Sequence, residues 1–125
     1  MSVRFALMLG ALAMGMAVAL GAFGAHALKA RLSPEMAAVW QTGVQYHAWH
    51  ALALLAVGIL LSQDPSRGGL VVAGWLFAAG IVLFSGSLYV LALTGVRGFG
   101  AITPLGGVAW LAGWAVFAWA VWRQP

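Results

Sequence analysis

His47 and His50 stand three residues apart in QTGVQYHAWHALALLAVGIL (41–60) and are the side chains best suited to chemistry in this chain. On a helix they share a face with Gly43 and Tyr46, while Gln41 and Gln45 fall on the opposite one. Histidines so placed could bind a metal, clasp a haem, pass protons or brace helices. A zinc hydrolase wants two histidines four apart, a glutamate between them and a further ligand. Here Ala48 and Trp49 fill the interval and no carboxylate is near, so catalytic zinc is not expected. A haem held between two helices needs one histidine from each, and His26 would be the second. A proton path wants a carboxylate within the membrane, yet both acids, Glu35 and Asp64, fall at breaks between apolar stretches. The remaining role is a strut, a neutral histidine hydrogen-bonded across helices. No Ser/His/Asp set can be assembled, and Gly98 and Gly100 do not form a phosphate loop. The expectation is therefore no enzyme, no catalytic residue, no metal site and no cofactor.

The elements that must position these residues follow from composition. Of 125 residues, 64% are hydrophobic and only 6% are charged, against about a quarter in soluble domains. With a mean hydropathy of +1.00, the chain reads as an integral membrane protein. A net charge of +4 is no nucleic-acid signal, because the six cations are scattered singly and suit helix ends at lipid headgroups. There is no cysteine, which removes disulfides and thiolate chemistry. Arg4, an apolar run and AHA at 25–27 imitate a secretory signal, but the run from Phe5 to Ala25 exceeds the ~7–15 residues of a signal core. It matches a membrane crossing instead.

Four apolar stretches predict helices over 5–28, 34–62, 69–94 and 104–123, separated by Lys29–Arg31, SQDPSRGG and TGVRGFG. Ser33-Pro34 and Thr103-Pro104 read as helix caps followed by first-turn prolines. The predicted fold is all-α: a single domain built as a bundle of four transmembrane helices, with both termini on one side. Polar groups on both faces near Gln41–Tyr46 place the start of the second helix partly in the interface. Each side carries three cations, Arg4, Arg67 and Arg123 against Lys29, Arg31 and Arg97. The positive-inside rule has nothing to act on, and insertion in both orientations becomes an open expectation. Gly10, Ala13, Ala17, Gly21 and Gly24 form a ribbon of small residues for close helix packing. Trp119 and Trp122 read as interface anchors, Trp110 and Trp114 as bundle packing. The Ser-Pro and Thr-Pro pairs hint at a two-helix repeat, on two dipeptides alone.

Depth locates a candidate site. The first helix ends, the second begins, the third ends and the fourth begins on one face. His26, Tyr46, His47, Ser85, Ser87, Tyr89 and Thr103 then fall in that leaflet, with His50 at its floor about 17 Å from Leu61. The opposite leaflet is almost purely hydrocarbon. Polar groups in lipid must find partners or water. Two outcomes are expected: a one-sided polar pocket lined by these eight residues, with His26, His50 and Tyr89 at its centre, or mutual hydrogen bonds that leave no cavity.

LGAFGAHAL (20–28), QTGVQYHAWHALALL (41–55), FSGSLYVLALTG (84–95) and ITPLGG (102–107) resemble the YgdD-like family of small membrane proteins, catalogued as domain of unknown function 423. The resemblance implies four transmembrane helices in the bacterial inner membrane and brings no mechanism. It includes Gly21, Gly24 and His26, then Gly43, Tyr46 and His50, then Gly86, Ser87 and Tyr89, and finally Thr103, Pro104 and Gly106. His47 departs from the pattern, which favours His50 and His26 over a scheme needing both neighbours. The expected function is an accessory module or a binder of lipid or another small amphiphile. A small transporter or channel is the alternative, and a haem or metal protein the third. Expected partners are the bilayer and either a second copy or a membrane complex, not nucleic acid.

Overall fold

Ser2 and Ser33 start their helices by the same device. Ser2 Oγ accepts from Phe5 N and Ser33 Oγ from Met36 N, each at 3.2 Å, which satisfies amides that have no partner in the first turn. The computed structural model describes residues 1–123. Helix α1 spans Val3–Ala25 and α2 spans Pro34–Gln63, with Pro34 in its first turn. Helix α3 spans Gly68–Thr94 and stops at Gly95, which takes the left-handed φ of 69° that a side chain disfavours. A short 3-10 turn, Arg97–Ala101, leads into α4, Thr103–Trp122. No strand occurs among the described residues. All four helices are long and apolar enough to cross a membrane. At roughly 45 Å, α2 outruns a ~30 Å hydrocarbon core by several turns.

Three details differ from expectation. The first helix stops at Ala25 rather than residue 28, because Leu28 N donates back to Phe23 O (3.1 Å) and wraps the chain off the axis. Leu28 is thereby buried with Trp40 and Ala92. Thr103 does not cap α4: Ile102 already has helical angles (φ −80°, ψ −32°), and no side chain caps that end. Helix α3 is not uniform but widens into a π turn over Ile81–Ser85. There Gly86 N reaches Ile81 O, five residues back, so one extra residue is fitted into the helix.

The helices pack in chain order, α1 on α2, α2 on α3, and α3 on α4. The small ribbon of α1 makes the first contact. A Cβ at Gly10 would meet Leu55 at 2.9 Å, one at Gly21 would meet Val44 at 3.3 Å, and one at Gly24 would strike Trp40. Ala17 is buried and Ala13 half-buried on the same side. From α2, Gly58 admits Leu7 in return. Trp40 then donates from Nε1 to Leu20 O at 2.9 Å, locking the two helices. Leu54, Val57, Leu61, Leu70 and Phe77 fill the interior. Outward faces are apolar as well: Val18, Val82 and Leu111 are 66%, 70% and 74% exposed. In water such a surface would be untenable; in lipid it is the surface required.

Charge gathers at the two ends of the bundle. Asp64 and Arg67 pair at one end (3.7 Å), Glu35 and Arg97 at the other (3.6 Å). The Ser66 hydroxyl, bonded to Asp64 Oδ1 at 2.6 Å, holds that exposed carboxyl below its ordinary range, with help from Ser66 N. At the tip of α4, Arg123 lies 4.6 Å over the Trp119 ring, an arrangement suited to the headgroup boundary.

Candidate functional site: an aromatic cleft around His50

His47 and His50 leave α2 about 60° apart, and each meets a different neighbour. His50 turns toward α4. Its Nδ1 lies 2.7 Å from Tyr46 O and its Nε2 lies 3.1 Å from Trp114 Nε1. An indole N–H only donates, so Nε2 accepts and the proton sits on Nδ1, donating to the Tyr46 carbonyl. His50 is thus a neutral brace between α2 and α4. Its ring stacks on Trp110 with centroids 3.7 Å apart and planes 4° apart. Trp110 in turn donates to Phe77 O at 3.1 Å, in the turn just before the helix widens. Gly80 leaves the space its indole occupies.

The π turn places Phe84 beside this stack, 4.6 Å from Trp110 and 5.0 Å from Tyr46. Tyr46, Trp49 and His50 from α2, Phe84 from α3, and Gly107, Trp110, Leu111 and Trp114 from α4 enclose a cleft of about 330 Å³. Positions 107, 110, 111 and 114 recur at helical spacing, so one stripe of α4 forms a wall. Trp49 and Trp114 are 49% and 44% exposed, and the mouth faces sideways, out of the bundle. No charged residue lines it. Every buried polar side-chain atom has a partner among the described residues. The accessible lining is almost wholly apolar.

The expected single polar pocket does not form. His47 is buried and faces α3, with Nδ1 3.0 Å from Tyr89 Oη, and its ring also meets the backbone carbonyl of Ala13 in α1. Ser85 is fully buried and donates to Gly43 O in α2 at 2.7 Å. Ser87 uses its one O–H on Phe84 O (2.8 Å), so at 2.6 Å it is Thr103 that donates to Ser87. Thr103 thus pins α4 to α3 instead of capping its own helix. His26 lies exposed at the end of α1, away from the cleft. Of the eight residues grouped from depth, only Tyr46 and His50 line a common cavity. His47, Ser85, Ser87, Tyr89 and Thr103 pair across helices instead, because a polar group in lipid gains more from a direct partner than from an empty hollow. The cavity that does exist is aromatic. Trp110 and Trp114, read as packing, make its walls; their helical spacing with Gly107 and Leu111 was the one signal available.

Comparison with known proteins identifies the family of the chain. The profile of a family described as "Protein of unknown function (DUF423)" matches residues 20–107. The chain belongs to that family. It is 52% identical over 108 residues to the UPF0382 membrane protein YwdK of Bacillus subtilis, covering 86% of this chain and 88% of that one. It is 50% identical to the UPF0382 membrane protein SSP2132 of Staphylococcus saprophyticus over the same shares. The UPF0382 membrane protein SAB0533 of Staphylococcus aureus is 43% identical over 94% of both chains. Those names describe membrane proteins and assign no activity. No solved structure matches.

Proposed function

We propose that this family member is a non-enzymatic membrane module that holds a lipophilic molecule in the lateral cleft between α2 and α4. The observation that carries this reading is a hollow of about 330 Å³ at mid-helix depth, walled by aromatic rings and open toward lipid. A transport path would need polar groups strung along it, whereas Ser85, Ser87, Thr103 and Tyr89 are taken up in pairs between helices. A haem or metal would need a free imidazole nitrogen, and both nitrogens of His50 already have partners. Protein extracted with its surrounding lipid should carry a lipophile at near-equal molar amount, identified by mass spectrometry. Gly107→Leu, which projects into the cleft from a position with free space for a Cβ, should release it. Equal retention by both proteins would refute the reading.

The proposed location is the bacterial inner membrane, crossed four times. With three cations and one acid at each end, neither end is favoured to stay inside, so the same chain can insert both ways and pair with an inverted copy. Pro125, the natural site for a terminal reporter, lies outside the described residues. A reporter there and one in the 63–67 loop should score on the same side in any one molecule. Opposite readings would contradict four crossings. Both fusions active on both sides would establish dual insertion, and a single clean orientation would remove it.

A further inference from the structure

Inside the bundle every buried polar side-chain atom has a partner among the described residues. Polar groups that still need one therefore lie on its outside, and α2 carries two of them. Gln41 and Gln45 are both exposed, one turn apart on the same stripe. Their depth is set by the charged ends of the bundle. Arg4 and Leu61 line one small hollow at one end, and Glu35 pairs with Arg97 at the other. Gln45 lies about 24 Å along α2 from Leu61 and about 15 Å from Glu35. In a ~30 Å core it falls about 6 Å below one surface, with Gln41 at the border. Hydrocarbon offers no partner to an amide that has two N–H donors and a carbonyl acceptor. Thr42, beside them, donates to Ala38 O of its own helix at 3.0 Å. A single backbone carbonyl cannot meet all three groups of a glutamine amide.

The spacing around the two amides points to another helix. Ala38, Gln41, Gln45, Ala48, Leu52 and Ile59 follow one another at intervals of three, four, three, four and seven. That is a seam repeating every seven residues, the pattern by which two helices wind together left-handedly. It faces outward: Ala48 is half-buried and the other five are exposed. Ala38 and Ala48 flank the amides with small side chains and let a second backbone approach. The chemistry of the amide says which backbone. A primary amide both donates and accepts, so it complements itself, and a two-fold pair puts the same residue on both sides. With the axis along the membrane normal, each glutamine meets its own copy at the depth where it needs a partner. An inverted copy cannot do this, because its glutamines lie under the opposite surface, against hydrocarbon around Ile59.

We infer that the outward seam of α2 is the interface of a homodimer whose two chains are inserted the same way, its register set by Gln41 and Gln45 bonded across the two-fold axis. Polar residues within such a seam fix register and oligomeric state at a cost in stability. The inference is independent of the lipophile cleft and holds whichever way the chain inserts.

The chain has no cysteine, so single replacements report contacts in native membranes without background. Ala38→Cys should give a disulfide-linked dimer on mild oxidation, and it reads the seam without touching either amide. Val82→Cys and Leu111→Cys, on other exposed faces, should not. Self-association in phosphatidylcholine vesicles is followed by energy transfer between full chains labelled at Gly98→Cys, a loop position with open space. Gln45→Leu should weaken it roughly tenfold, and Gln41→Leu with Gln45→Leu about a hundredfold. Gln45→Asn, which keeps an amide, should retain most of it. The thermal midpoint in detergent should stay unchanged in all three, which separates lost pairing from lost folding. Association unchanged in the double leucine variant would mean that the amides bond to lipid carbonyls or water, and would overturn the inference. Cross-linking of Ala38→Cys to a coexpressed Ser62→Cys, in place of the Ala38 pair, would show an inverted partner and overturn it equally. No linked dimer from Ala38→Cys, or a link only to a different protein, would remove the second copy from this face.

Discussion

Gly106→Val should lower the thermal midpoint in detergent by at least ~10 °C, while Gly107→Ala, one residue on, should leave it within a degree or two. The contrast comes from what each Cβ would meet. At Gly106 it would strike the backbone nitrogen of Phe84, with Phe84 Cα only 2.8 Å away. Backbone cannot rotate aside as a side chain can, so α3 and α4 must separate. Separation stretches two cross-helix bonds, Trp110 to Phe77 O at 3.1 Å and Thr103 to Ser87 at 2.6 Å. Overpacking costs about 1–3 kcal/mol and each membrane hydrogen bond contributes about 0.6–1.7 kcal/mol. The sum is roughly 2–6 kcal/mol. At Gly107 the nearest atom is Phe84 Cδ2 at 3.9 Å, ordinary contact. Melting followed by intrinsic fluorescence decides it, and a Gly106→Val protein within ~3 °C of the parent would disprove the close approach.

The second large effect is expected at His50. His50→Ala removes the acceptor of the Trp114 N–H, the ring stacked at 3.7 Å on Trp110, and volume beside Phe77. The combined loss is about 2–4 kcal/mol, seen as a midpoint lower by several degrees. His50→Phe keeps the stack and loses the hydrogen bonds to Trp114 and Tyr46 O, so it should fall between the two. A double-mutant cycle with Trp114→Phe should return a coupling of about 1 kcal/mol. Coupling near zero would mean that the indole and imidazole do not share a proton. Iron or zinc that copurifies with the parent and vanishes in His50→Ala would replace the brace with a metal site.

These two residues show where sequence reading succeeds and where it stops. The four helices were legible because transfer of side chains into hydrocarbon sums along the chain, segment by segment, with no knowledge of neighbours. Ser33-Pro34 was legible for the same reason, a cap being a contact three residues long. The ribbon Gly10, Ala13, Ala17, Gly21 and Gly24 could be seen as a face, and α2 does fill it through Leu55, Val44 and Trp40.

What the sequence could not decide was which polar groups would meet. His47 and His50 differ by about 60° around α2, and only the arrangement of α3 on one side and α4 on the other turns that angle into two separate contacts. The π turn over Ile81–Ser85 has no sequence mark. It adds one residue and so rotates everything beyond it by about 100°, aiming Ser85 at Gly43 O and Tyr89 at His47. Thr103 looked like a cap because its local pattern is that of a cap; a partner on α3, sixteen residues back, claimed its hydroxyl. His26 was placed in the site by depth alone, but no residue of α1 lines the cleft. Burial in lipid depends on local composition and is read from the chain itself. Pairing within lipid depends on the relative rotation of whole helices, which a single inserted residue resets, and only the folded structure contains it.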